Sequence, residues 1–146
     1  MDYIISAIAD LREYKAQLAS IQNLKDAIAE CQAGIDQLHT TQYDRTPVMG
    51  GESGYEDRIL TNMDKLARMK TNLRVAESKA ARVDRGMAVL DQEERITLER
   101  MYINSERDYA RRLCSEDLHC DESTMYRIRR RAIKRFTRAM YGVLDL

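Results

Sequence analysis

Asp121-Glu-Ser-Thr-Met-Tyr-Arg-Ile-Arg-Arg-Arg-Ala-Ile-Lys-Arg-Phe-Thr-Arg-Ala-Met-Tyr141 is the stretch from which the rest of the chain is read. Between Thr124 and Tyr141 the charged residues are Arg127, Arg129, Arg130, Arg131, Lys134, Arg135 and Arg138, and none is acidic. Met125, Ile128, Ala132, Phe136 and Met140 recur at steps of three and four, which places them on one face of a helix. Asp121 stands where a side chain can accept from an early backbone N–H. Glu122 stands where the helix dipole favours negative charge. Gly142 occupies the position of a left-handed terminating residue. A helix apolar on one side and cationic on the others suits the phosphate backbone of nucleic acid, where each Lys or Arg displaces a condensed counterion.

Working outward, the 32 residues from Asp91 to Glu122, which run into the start of this helix, are acidic. Asp91, Glu93, Glu94, Glu99, Glu106, Asp108, Glu116, Asp117, Asp121 and Glu122 face only Arg95, Arg100, Arg107, Arg111 and Arg112 between Asp91 and Glu122. The chain as a whole is neutral, with 24 basic and 24 acidic residues, so the average conceals a polarity that a docking surface uses. At 146 residues, one Pro, no Trp and 44% hydrophobic residues, it is one domain or two small ones and mostly helical. No apolar run approaches the ~20 residues of a membrane span, and the N-terminus lacks the pattern of a signal peptide. Three cysteines without Cys-x-x-Cys spacing fit a reduced cytoplasm.

Asp2 to about Leu38 is predicted to form one long helix. Ile4, Ile8, Leu11 and Leu18 begin its stripe, and Ile21, Leu24, Ile28, Cys31, Ile35 and Leu38 continue it as a coiled-coil heptad, with a seam shift between Leu18 and Ile21. At ~1.5 Å per residue such a helix is about 55 Å long and needs a partner along its length. Residues 39–54 hold the only proline, Pro47, with Gly50, Gly51 and Gly54, and are predicted to be a loop, flexible by its glycine content or else functional, since it is long for a helix hairpin. A second helix is expected from Tyr55 or Glu56 to Arg85, ended by Gly86. Its stripe is Leu60, Met63, Leu66, Leu73, Ala76, Ala80 and Val83, widened by Ile59, Ala67 and Met69 and interrupted by Lys70. The expected organisation is therefore all-α: a long antiparallel helical hairpin over 1–86, and a separate helical domain over 87–146.

Within that second domain, Asp91 and Glu94 form a capping box. They open a short helix carrying Ile96, Leu98, Met101, Tyr102 and Ile103, broken at Asn104 and Ser105. A further helix over about Glu106 to Asp117 buries Tyr109, Ala110, Leu113 and Cys114. Leu118-His119-Cys120 is the turn, and Asp121 caps the basic helix. A helix, a turn and a basic helix on a shared core make a helix-turn-helix.

Leu90 to Met101 resembles the opening of the promoter-reading fourth region of bacterial sigma factors, with leucine, acidic residues, arginine and then an apolar helix. Ser123-Thr-Met-Tyr-Arg-Ile128 and Arg131-Ala-Ile-Lys-Arg-Phe136 resemble its recognition helix and basic tail. The run from Ser123 to Gly142 is most similar to the ends of small phage- and prophage-encoded RinA/ArpU-like late-gene regulators of Firmicutes. The similarity spans roughly Ala88 to Gly142, and Tyr102 to Leu118 is a few residues longer than the sigma pattern. It implies a sequence-specific transcriptional regulator in the host bacterial cytoplasm that binds double-stranded DNA and contacts RNA polymerase. By position, the base-reading residues would be Glu122, Ser123, Tyr126 and Arg127. The same four lie in the first two turns of the helix, away from Met125 and Ile128, where a recognition helix meets base edges. Arg127 suits a bidentate contact to guanine and Glu122 an acceptor for cytosine. Arg130, Arg131 and Lys134 are placed on phosphates.

No catalytic constellation is visible, so an enzyme is not expected, and no cofactor is implied. Cys114, His119 and Cys120 are close in sequence but fall short of the four ligands of a structural zinc site. The hairpin is expected to mediate homo-oligomerisation or partner docking, raising the effective concentration of a weakly binding reader. Two other classes fit the pattern: a small-terminase-like viral DNA-packaging component, and a helical interaction module whose basic helix grips an acidic partner without touching DNA.

Overall fold

The computed structural model describes residues 2–43 and 52–146. These residues are helical apart from short turns, and no strand occurs among them, so the all-α expectation holds. Helix α1 runs Tyr3–Tyr43 and α2 runs Glu52–Ala88. Helix α3 spans Gln92–Leu98 and continues as a π-helical turn, Glu99–Ile103. Helix α4 spans Tyr109–Arg112 and continues as a second π-helical turn, Leu113–Leu118. Helix α5 is Glu122–Tyr141.

The chain divides into two compact units, but not at Gly86. One unit comprises Met1–Gln17 and Ser78–Leu146, and the other Leu18–Glu77. The expected boundary lay between 86 and 87; here the start of α1 and the end of α2 share the core of the C-terminal helices. Ala7 and Leu11 of α1 and Val83 and Met87 of α2 are buried in one cluster with Leu98, Met101, Leu113, Met125, Ala132, Ile133 and Phe136. Two tyrosines tie this unit further: the Tyr14 hydroxyl donates to Asp84, and the Tyr141 hydroxyl donates to Asp10 at 2.5 Å.

Gly86 has a role other than terminator. It lies inside α2, and a Cβ there would stand 2.7 Å from Phe136 Cε2 and 3.1 Å from Met140 Cγ. The missing side chain lets the Phe136 ring lie against the α2 backbone. The expected caps are present elsewhere. Asp91 Oδ1 accepts from Glu94 N at 2.9 Å while Glu94 Oε2 accepts from Asp91 N at 3.1 Å. Asp121 Oδ1 accepts from Thr124 N at 3.3 Å. Gly142, at φ 67°, donates its N–H to the Arg138 carbonyl at 2.8 Å.

The unit Leu18–Glu77 pairs α1 and α2 in antiparallel sense. Tyr55 donates to the Leu38 carbonyl, Cys31 Sγ to the Asn62 carbonyl at 3.5 Å, and Lys25 meets Glu77 at 3.6 Å. Partners move down one helix as they move up the other. The α2 stripe needs a correction of register. Leu60 and Met63 are 60% and 51% exposed, and Ala67 and Lys70 are exposed too. The covered positions are Ile59, Asn62, Leu66, Met69, Leu73 and Ala76, an unbroken alternation of three and four. Asn62 concealed this register by placing a polar residue on the seam. In α1, Ile21, Leu24, Ile28, Cys31, Ile35 and Leu38 are covered as expected, whereas Leu18 is 44% exposed, at the seam shift. The expected loop 39–54 is shorter at both ends, since α1 reaches Tyr43 and α2 starts at Glu52; its middle lies outside the described residues.

Candidate nucleic-acid interface

The residues that precede α5 fix where its first turn points. Asp108, at φ 63°, starts α4 in the left-handed region, which Asp tolerates better than most residues. The π-helical turns Glu99–Ile103 and Leu113–Leu118 widen the helices on either side of residues 104–108 to five-residue spacing. His119, at φ 50°, reverses the chain after Leu118, so the turn into α5 is His119–Asp121, one residue later than expected. Asp121 then caps α5, its carboxylate also accepting from Ser123 Oγ at 2.7 Å. Bonds from Thr124 and then Ser123 to the ionised form hold the Asp121 carboxyl below its ordinary range.

On α5 the expected core residues are buried: Met125, Ala132 and Phe136 completely and Ile128 nearly so. Ile133 and Thr137 are buried as well, because the second half of α5 is covered on both flanks; the Thr137 hydroxyl is satisfied by the Ile133 carbonyl at 2.6 Å. The first half is covered on one side only. Glu122, Ser123, Tyr126, Arg127 and Arg130 are all exposed and share the opposite face. Among the described residues, the Arg127 and Arg130 side chains make no intramolecular hydrogen bond or ion pair. Arg129 lies between the two faces. Its Nε donates to the Tyr102 hydroxyl at 2.8 Å, and its guanidinium carbon is 6.0 Å from the Tyr126 ring centroid.

The two remaining cations expected at the interface are paired with groups of the same chain. Arg131 Nε donates to Glu94 Oε1 at 2.6 Å, and its NH2 group approaches Asp91 Oδ2 at 3.4 Å. Arg135 takes the other oxygen, Glu94 Oε2, at 2.6 Å and also donates to the Val89 carbonyl at 2.7 Å. Glu94 is fully buried, so this carboxylate relies on the two guanidinium groups for charge compensation. The bond to Glu94 raises the Arg131 pKa above its usual value. Lys134 Nζ donates to the Leu146 carbonyl at 2.7 Å. Arg131 and Lys134 therefore brace the domain, while Arg130 stays open to solvent.

The clasp leaves a signal in the sequence, although helical period alone does not name its partners. Glu94 precedes Leu98 and Met101 by four and seven residues, so it falls on the apolar face of its own helix, where a carboxylate requires a partner. Arg111, not among the expected contacts, is exposed on α4 and lines an open pocket with Cys120 and Glu122 at the start of α5. Among the described residues, no group of three or more His, Cys, Asp and Glu is arranged to hold a metal ion, and no helix is long and apolar enough to cross a membrane.

Comparison of the chain with family models, with curated proteins and with solved structures gives no match. What places the chain in a class is its own architecture: an all-α protein in which a capped basic helix stands on a core shared with the start of α1 and the end of α2.

Proposed function

We propose that the chain is a sequence-specific DNA-binding regulator that enters a major groove with the first turns of α5. Helix α4, the His119–Asp121 turn and α5 act as a helix-turn-helix similar to the fourth region of sigma factors, in a protein of the RinA/ArpU-like phage regulator type. The observation that carries this reading is the exposed face formed by Glu122, Ser123, Tyr126, Arg127 and Arg130. Its polar groups lie at the N-terminal end of a helix whose opposite side is anchored by Met125 and Ile128, the arrangement in which helix ends reach base edges. Arg127 supplies a bidentate donor for guanine and Arg130 a phosphate contact.

With Arg131, Lys134 and Arg135 committed internally, few free cations remain on α5. Affinity for a lone site is then weak, which favours a second copy paired through the hairpin, or RNA polymerase, as the source of effective concentration. Titration of the full chain against a duplex library, at two or more salt concentrations, tests the reading. The expected result is enrichment of one sequence class with a salt slope matching a few phosphate contacts. Failure to retain any duplex at low salt, with and without RNA polymerase, would end it and favour an interaction module that meets an acidic protein instead.

A further inference from the structure

Cys114 and Cys120 stand on either side of the turn that leads into α5. Cys114 lies in the π-helical turn Leu113–Leu118, and Cys120 follows His119. The left-handed backbone at His119 folds the chain back, so that Cys120 N donates to the Cys114 carbonyl at 3.1 Å. The same reversal sets both cysteine side chains on the lining of one pocket. Both cysteines are free and half-buried, and both line an open pocket of about 310 Å³ with Ala110, Arg111, Ser115 and Glu122. Space of that size, lined by both thiols, admits a small oxidant. No part of the proposed DNA contact uses either sulfur.

We infer that Cys114 and Cys120 are a dithiol modification site that closes to an intrachain disulfide on exposure to a hydroperoxide, restraining the turn ahead of α5. Burial, and next the neighbouring Cys120, push the Cys114 thiol up, so Cys120 is the first nucleophile. Its thiolate attacks the peroxide; an S–O bond forms, the O–O bond breaks, and the leaving oxygen departs as hydroxide and takes up a proton. The Cys114 sulfur then attacks the sulfenic sulfur. The S–S bond forms, the S–O bond breaks, and the released hydroxide leaves as water with the Cys114 proton. Two thiols together lose two protons and two electrons, and hydrogen peroxide is reduced to two waters. The new bond ties the residue just before the Asp121 cap to the helix preceding the turn.

The full chain supplies its own assay. Arg112 and Arg127 flank the pair with no Lys or Arg between them, so one tryptic peptide, Leu113–Arg127, carries both thiols. Cys31 is the internal reference. After treatment with hydrogen peroxide and then alkylation, that peptide should be unalkylated and lighter by two hydrogen atoms, with Cys31 still alkylated. Dithiothreitol should reverse the change. Amide exchange from His119 to Thr124 should slow in the oxidised protein. Cys114→Ser and Cys120→Ser should each abolish the linked peptide, and Cys31→Ser should keep it. The inference is overturned if Cys114 and Cys120 are alkylated as fully as Cys31 after peroxide, or if the linked protein exchanges its His119–Thr124 amides as fast as the reduced one. Both readouts come from the unmutated chain, so a poorly folding variant leaves the test intact.

Discussion

Arg131 reaches across from α5 to a carboxylate that sees no solvent: its Nε lies 2.6 Å from Glu94 Oε1. Arg135, one turn later, holds the other oxygen at the same distance. A single buried residue thus closes the α3 capping box at its own N-terminus and fixes α5 against α3. Replacing one partner of a buried pair costs ~3–5 kcal/mol. Both arginines are about half exposed and can return to water, so Glu94→Ala should cost less, about 2–3 kcal/mol, read from denaturant midpoints. Arg131→Ala should lower stability and leave the salt slope of duplex binding nearly unchanged. A steep loss of affinity at constant stability would return Arg131 to the phosphate contacts.

Arg127 and Arg130 should separate by what they lose. Arg127→Ala is expected to relax discrimination at one base position by ~1–3 kcal/mol. Arg130→Ala should weaken every duplex alike and lower the salt slope by about one unit. Lys134→Ala should fall nearer the stability variants, since its ammonium is occupied by the Leu146 carbonyl. Binding titrations against single-base variants of a selected site distinguish the three.

Gly86→Ala should destabilise the chain. The added methyl would meet Phe136 Cε2 at 2.7 Å and Cδ2 at 2.9 Å, and that ring is fully buried. Overpacking of this kind costs ~1–3 kcal/mol, more than the helix propensity that Ala gains over Gly. Thermal unfolding of the Gly86→Ala and Gly86→Ala/Phe136→Leu chains checks the cause. The second change should recover part of the loss, whereas equal instability in both would place the clash elsewhere.

Alkaline pH should loosen the unit that contains both chain ends. Its bond to Asp84 pushes the Tyr14 hydroxyl up to about 12, and burial, followed by its bond to Asp10, pushes Tyr141 up to about 12, each from an ordinary 10.0. A proton held more tightly in the folded state stabilises it fully below pH 10, and that contribution disappears as the pH climbs to about 12. Stability measured from pH 8 to 12 should fall over that window. The Tyr14→Phe/Tyr141→Phe chain should lose the late component of its tyrosinate absorbance curve and show a shallower fall.

The sequence by itself determined what depends on neighbours along the chain. The caps at Asp91, Asp121 and Gly142 involve groups a few residues apart, so residue order was enough to place them. The buried stripe of Met125, Ile128, Ala132 and Phe136 followed from helical period, and so did the outward face of Glu122, Ser123, Tyr126, Arg127 and Arg130. Tertiary structure alone decided what depends on which surface arrives opposite. Gly86 looked like a helix end until Phe136 was found against it. Leu60 and Met63 looked like seam residues until the pairing with α1 placed Asn62 there instead. Arg131 and Lys134 looked free because a cationic side chain keeps the same spacing whether it faces water or a carboxylate thirty-seven residues away in the chain. Periodicity reports which residues share a face; only the partner of that face determines whether the face is core, clasp or open surface.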